Sequence, residues 1–141
     1  MSTRACYVFK QKGGYRKDIT IYKHHDGYPA GGISWIKAAK DYGDKLPADE
    51  FGENLLYESD KMVTGFMACP SITNQAKEFT DDYKRHGDLA YHYEITDDDY
   101  VEVFCHHYYL VGGKYEDNVE LIFSGSIDEA VKKYVPAEEV A

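Results

Sequence analysis

Hydrophobic spacing changes twice along this chain, from a period of two residues to a helical period and back again. Residues 5–10 (ACYVFK) and 18–24 (DITIYKH) are rich in β-branched and aromatic residues, and the turn-prone QKGGYRK joins them. The pattern predicts a β-hairpin.

The second predicted strand divides its side chains between two faces. Ile19 and Ile21 form the apolar set and predict the core side. Tyr22 and His24 fall on the opposite face, because side chains alternate along a strand. His25 returns to the core side, so the two adjacent histidines cannot serve one site while the strand stays regular.

Helical spacing dominates the middle of the chain. Residues 32–43 carry apolar side chains at i, i+3, i+4 and i+7, which predicts an amphipathic helix. Residues 48–68 predict a helix in two pieces, with a break at Ser59-Asp60. A further helix is predicted from Pro70-Ser71 to a stop at Gly87.

The last third alternates again and predicts three strands, over residues 89–95, 100–110 and 119–125, with GGKYEDN as the loop before the third. Ser126 and Glu129 then form an S-x-x-E capping box, which predicts a closing helix. The final AEEVA predicts a disordered tail.

Strands and helices therefore occur in separate runs, which predicts an α+β fold. We expect a mainly antiparallel sheet, made of the N-terminal hairpin and three C-terminal strands, packed under three to five helices. The 141 residues have the size of one domain, so residues 1–141 are predicted to form a single unit.

Charge is distributed unevenly within the net −9. Residues 1–47 hold nine basic and four acidic side chains (9 − 4 = +5), and residues 48–141 hold seven and twenty-one (7 − 21 = −14). The acidic excess argues against binding a nucleic-acid duplex, because phosphate neutralisation needs clustered Lys and Arg. The basic N-terminal part is compatible with a small anionic ligand.

Three cysteines, Cys6, Cys69 and Cys105, lack CxxC spacing and predict small buried apolar side chains. Only Cys105 has a candidate activating neighbour, His106. No apolar run approaches the ~20 residues that cross a bilayer, and no secretory pattern begins the chain, so we expect a cytoplasmic protein with no membrane partner.

The segment IYKHHDGYPAGG, residues 21–32, leads from a strand into a helix and is the candidate ligand-binding loop. A glycine-rich approach to a helix N-terminus exposes backbone N–H groups and favours anions. The candidate ligand-binding residues are Arg4, Tyr22, Lys23, His24, Asp26, Gly27, Tyr28, Gly31 and Gly32. The sequence assigns no catalytic residue, cofactor or metal.

In this hypothesis the protein is a non-enzymatic binding protein for a small phosphorylated or nucleotide-like molecule. Tyr22 and Tyr28 contact the flat part of this molecule, and His24 donates a hydrogen bond to it.

The remaining residues contact its charge or shape the loop. Arg4 and Lys23 contact the negative charge of the ligand. Gly31 and Gly32 donate backbone N–H groups, and Asp26 braces the turn. A purely structural alternative is a tight turn with the Tyr-Pro pair packed over it.

Two further functions stay open. His24, His25 and Asp26 have the ligand types of a divalent-metal-dependent hydrolase, with support from histidines elsewhere, although His107 is expected to be inward-facing and half-buried. Alternatively, the acidic, tyrosine-rich region acts as an inhibitor or mimic that binds a host protein. The sequence leaves enzymatic activity and homo-oligomer formation undecided and favours binding over catalysis.

Three sequence motifs carry a family resemblance. They are TR at residues 3–4, IYKHHDGYPAGG at 21–32, and GDLAYHYEI at 87–95. Together they resemble a family of small, functionally uncharacterised bacterial and phage proteins with an N-terminal Tyr-x-His-Trp-Asp-Gly-Tyr-Pro motif. His25 stands where that family has tryptophan. The resemblance implies a phage-encoded protein with a counter-defence role in virus–host conflict, and it implies no established activity.

Overall fold

A computed structural model of the chain describes residues 3–10, 18–45, 58–69, 77–80, 89–96 and 99–136. Its elements in chain order are β1 (Ala5–Phe9), β2 (Ile19–Lys23), α1 (Pro29–Asp44), α2 (Glu58–Ala68), β3 (Lys77–Thr80), β4 (Tyr91–Thr96), β5 (Tyr100–Val111), β6 (Lys114–Ser126) and α3 (Ile127–Tyr134). Residues 11–17, predicted as the hairpin turn, residues 48–57 of the predicted 48–68 helix, and the AEEVA tail lie outside the described residues. The break predicted at Ser59-Asp60 is wrong, because α2 runs through both residues.

The strands form one six-stranded sheet in the order β3-β2-β1-β4-β5-β6. Four neighbouring pairs are antiparallel, and β1 runs parallel to β4. The α+β class is confirmed. The sheet is mixed rather than purely antiparallel, because β4 joins the free edge of the N-terminal hairpin in the same direction as β1.

Residues 77–80 contradict the helix predicted from residue 70 to residue 87. They form β3, which pairs antiparallel with β2 over Thr20↔Thr80 to Lys23↔Lys77. Phe79 of β3 is 60% exposed. Pairing with β2 satisfies backbone N–H and C=O groups that the edge of the hairpin would otherwise leave unpaired, and this outweighs the local helical spacing.

The prediction that GGKYEDN forms a loop is also wrong, except for its two glycines. Only Gly112 and Gly113 turn, with φ of 57° and 82°, and β6 begins directly afterwards at Lys114. Two consecutive residues with positive φ match the twist of a two-residue hairpin, which glycine adopts without steric cost. The third C-terminal strand therefore starts five residues earlier than predicted (119 − 114 = 5).

All three described helices pack on one side of the sheet, here called the helix face. Tyr7 of β1 lies 4.5 Å from Phe66 of α2 between ring centroids, and α1 packs against both α2 and α3. The core cluster takes Ile33 and Ile36 from α1 and Ile127 from α3. The predicted hairpin register is confirmed, because Ile21 lies in this core.

The opposite side of the sheet, here called the second face, is also buried at its centre. Cys6 and Val8 point to this side, and both are buried. Thr20 and His92, on the strands to either side, are buried as well. A strand buried on both faces has a continuous apolar sequence, and ACYVF has that composition.

The predicted capping box is confirmed at the start of α3. The Glu129 backbone N–H donates to the Ser126 hydroxyl at 3.1 Å, and the Ser126 N–H donates to the Glu129 carboxylate at 3.3 Å. The described part of the chain contains no helix with the length and apolar character needed to cross a membrane.

Candidate functional site

The loop after β2 turns sharply and is hydrogen-bonded to the segment before β1 and to β4. Asp26 has a φ of 57°, which turns the chain, and the Gly27 N–H then donates to the Thr3 carbonyl at 2.8 Å. The Gly27 carbonyl accepts a hydrogen bond from the Tyr93 hydroxyl at 2.5 Å. A Cβ at Gly27 would lie 2.5 Å from the Ala5 Cβ, so only glycine permits this approach.

The glycines at the start of α1 serve packing more than ligand approach. The Gly32 N–H donates to the Tyr28 carbonyl at 2.8 Å, and a Cβ at Gly32 would lie 2.5 Å from the Tyr93 ring. Its amide is therefore not available to a ligand, contrary to the predicted role. Gly31 faces the Asp26 carbonyl, which a Cβ there would approach to 2.5 Å.

Lys23 departs most from its predicted role. Its side chain is fully buried on the helix face, where Nζ lies 3.3 Å from the centroid of the Trp35 ring and donates to the His25 carbonyl at 2.8 Å. Arg4 and Lys23 lie on opposite sides of the sheet. They cannot contact the charge of one small ligand together.

Three predicted residues do come together on the second face. Arg4 Nε donates to His24 Nδ1 at 3.4 Å, and the Tyr22 hydroxyl lies 2.9 Å from the same nitrogen. All three side chains are half-buried. We call Arg4, Tyr22 and His24 the Arg4 cluster. Because Nδ1 accepts from Arg4, the proton of a neutral His24 lies on Nε2, which remains a donor.

The other loop residues differ in how near they lie to this cluster. Tyr28 is 44% exposed at the N-cap of α1, and its side chain makes no capping hydrogen bond. His25 is exposed, with its ring 4.6 Å from that of His24. Asp26 turns the chain at the corner through its positive φ.

A second polar cluster on this face was not predicted as a site. His92 Nδ1 lies 2.7 Å from His106 Nε2, and His92 Nε2 lies 3.3 Å from the Glu94 carboxylate. The two imidazoles, here called the histidine pair, are both buried. One proton lies between the facing nitrogens, since two N–H groups at that distance would repel. His92 stacks on Phe104 with a centroid distance of 4.3 Å.

Glu94 links the histidine pair to two further charges. Lys10 Nζ lies 3.1 Å from Glu94 and 3.2 Å from Asp18. The His92 hydrogen bond lowers the pKa of Glu94, burial opposes this, and Lys10 lowers the pKa further. Burial acts to lower the pKa of Lys10, but its hydrogen bonds to Glu94 and Asp18 raise it overall.

Backbone pairing places the two clusters in one row across the sheet. Ala90 N–H donates to the Arg4 carbonyl at 2.9 Å, and His106 N–H donates to the Ala90 carbonyl at 2.9 Å. The row therefore runs His24, Arg4, Ala90, His106. Ala90 has the smallest side chain of the four and is partly exposed. Two strand spacings separate Arg4 from His106, roughly 10 Å between Cβ atoms.

The adjacent histidines of β5 lie on opposite faces of the sheet. His106 lies on the second face and is buried. His107 lies on the same side of the sheet as the helices and is exposed, with its Nε2 3.4 Å from the Glu120 carboxylate. The prediction that His107 is inward-facing and half-buried is wrong, because β5 has here extended beyond its pairing with β4, which ends at Cys105.

Neither the metal site nor an activated thiol gains support from the described side chains. In the described ranges no three His, Cys, Asp or Glu side chains are grouped to hold a metal ion. Burial and the nearby Glu120 raise the pKa of the Cys105 thiol. A raised pKa disfavours the thiolate that a nucleophile requires. All three cysteines are thiols rather than disulfides; Cys6 and Cys69 are buried as predicted, whereas Cys105 is only half-buried.

No family model, curated protein or solved structure matches this chain.

Proposed function

We propose that this protein is a non-enzymatic binding protein that holds a small phosphorylated or nucleotide-like molecule on the second face, between the Arg4 cluster and the histidine pair. The row in which Ala90 separates Arg4 from His106 carries this proposal. A guanidinium and an imidazole stand on either side of a methyl group, with a spacing that accommodates a phosphate.

The side chains in this row have the chemistry that a phosphate needs. Arg4 offers a planar set of N–H donors suited to bidentate contact with phosphate oxygens, and His24 adds its Nε2–H. Tyr22 supplies a ring against which a base can stack. The proposed site retains three residues of the predicted loop site and replaces its glycine amides and Lys23 with His106.

The biological setting belongs to the same proposal. Membership of the Tyr-x-His-Trp-Asp-Gly-Tyr-Pro family, a phage origin and a part in virus–host conflict rest on the quoted motifs. Sequestration of a nucleotide-like signal inside the host cell would suit a counter-defence protein, and it requires binding without turnover.

Ligand-induced thermal stabilisation tests the proposal. Mono-, di- and triphosphate nucleotides, the matching nucleosides and inorganic pyrophosphate are titrated against the protein, and Tm is followed. A ligand at a hundred times its Kd adds about 2.7 kcal/mol to the free energy of unfolding. We expect phosphorylated compounds to raise Tm and nucleosides to leave it unchanged.

Matched variants locate the site. Arg4→Gln should abolish the ligand-induced shift in Tm, whereas Lys132→Gln, which removes the same charge from an exposed position on α3, should retain it. Comparing shifts rather than absolute Tm values cancels any change in basal stability. The absence of a shift with every phosphorylated compound, or equal loss in both variants, would contradict the proposal.

A further inference from the structure

The two edges of the sheet differ in length. β3 has 4 residues and β6 has 13. In the part of the chain that the structure describes, β6 pairs only with β5, so one row of its backbone N–H and C=O groups faces outward. Short edge strands resist pairing with other chains, and long ones invite it.

The outer part of β6 belongs to a two-stranded ribbon. β4 pairs with β5 only from Tyr100 to Cys105, while β5 and β6 continue to pair as far as Val111↔Lys114. Two-stranded ribbons are marginally stable in water by themselves, and a third strand stabilises them. The ribbon therefore gains order if another segment pairs with β6.

Apolar side chains flank this edge on the second face. Val119 is 39% exposed and Leu121 is 49% exposed. They pair in register with His106 and Phe104, so they lie two residues apart on the same side of the sheet. An added strand can place its own apolar residues against them, because side chains of neighbouring strands meet in register.

The charge along this edge selects the partner. β6 carries three carboxylates and one lysine, namely Glu116, Asp117, Glu120 and Lys114, so its net charge is −2 (1 − 3 = −2). A second copy paired through β6 would bring these carboxylates beside themselves, which is unfavourable. A segment with lysine or arginine at alternate positions would be attracted instead.

We propose that β6 is a docking edge for an extended, basic segment of another protein, which adds to the sheet as a seventh strand beside Val119 and Leu121. Backbone hydrogen bonds to the free edge supply the binding, and the carboxylates of the edge supply the preference for basic sequences. Val119 continues the Arg4–Ala90–His106 row by one strand, but docking uses the outer edge of β6 and does not depend on the proposed ligand.

Binding of a synthetic peptide tests this at physiological salt. The probe is a short peptide of alternating Val and Lys or Arg, and the control is the same peptide with every second backbone nitrogen methylated. Methylation keeps the charge and removes the N–H donors of one edge. We expect the plain peptide to bind and the methylated peptide to bind at least about tenfold more weakly, as measured by calorimetry.

Matched variants at the two edges complete the test. Leu121→Lys adds a like charge beside the docked strand and should weaken binding by about tenfold or more, whereas Phe79→Lys, at the 60% exposed position on β3, should change it by less than about twofold. The proposal is overturned if the plain peptide does not bind, if both peptides bind equally, or if Phe79→Lys is equally harmful. Sedimentation showing a dimer that Leu121→Lys dissociates would likewise overturn it in favour of a second copy.

Discussion

The two faces of the sheet are buried by different physical means. On the helix face, aromatic and aliphatic side chains fit against three helices, and Tyr7 stacks on Tyr93 with a ring-centroid distance of 5.0 Å. On the second face, buried polar groups lie beside Cys6 and Val8 and are paired, as in the contact between His92 and His106. Close packing dominates on the helix face, and hydrogen bonding contributes more on the second face.

This difference predicts which substitutions each face tolerates. An added methyl group should be most harmful where packing is tight, on the helix face. Removal of a hydrogen-bonding atom should matter wherever that atom is buried and paired. On the second face, stability should also depend on pH, because its buried contacts include a carboxylate.

The largest effect is expected from Gly32→Ala. The new Cβ would lie 2.5 Å from the Tyr93 ring, so either the ring or α1 must move. Overpacking of this kind offsets the gain in helix propensity and should lower the free energy of unfolding by about 2 kcal/mol. Urea unfolding measures this. Ser34→Ala, in the same helix but half-buried, should change stability by less than about 0.5 kcal/mol.

An intermediate effect is expected from Tyr93→Phe, with Tyr7→Phe as its control. Burial raises the pKa of both hydroxyls, so both stay protonated. Tyr93 donates to the Gly27 carbonyl, whereas the Tyr7 hydroxyl is buried with no hydrogen-bond partner among the described residues. Tyr93→Phe should cost about 1.5 kcal/mol in urea unfolding, and Tyr7→Phe should be neutral or stabilising. Equal costs would show that the corner is not held by Tyr93.

The smallest effect is expected from Glu94→Gln and appears as pH dependence. The folded protein holds the pKa of Glu94 below its ordinary 4.5, so its contribution is complete above pH 4.5 and is lost as pH falls through the folded value. Glu94→Gln should therefore make the loss of Tm below pH 4.5 shallower, with a cost at neutral pH of roughly 1 kcal/mol. Lys10→Gln should produce part of the same change. An unaltered acid slope in both variants would contradict this account.

Local patterns in the sequence predict the hairpin register and the α3 cap well. Alternation places Ile21 inward, and Ser126 with Glu129 marks the first turn of α3. The strand at 77–80 is missed because apolar spacing around Phe79 is also helical, and a strand of 4 residues is too short to show its own period. Its pairing with β2 is a long-range event that local spacing does not encode.

The candidate site was predicted in part. Alternation along β2 brings Tyr22 and His24 to one side, and the same argument places Lys23 on the helix face. The Trp35 ring and the His25 carbonyl that hold the buried ammonium cannot be foreseen from spacing. The histidine pair likewise depends on the register between β4 and β5.

The parallel pairing of β1 with β4 has a consequence for biosynthesis. Ala5 pairs with Tyr91, so β1 cannot pair with β4 until most of the chain has left the ribosome. Closing so large a loop costs chain entropy before the strands gain their contacts. Folds dominated by distant contacts therefore fold slowly. The nascent hairpin therefore exposes both sides of ACYVF during translation, and chaperone capture is expected at that stage.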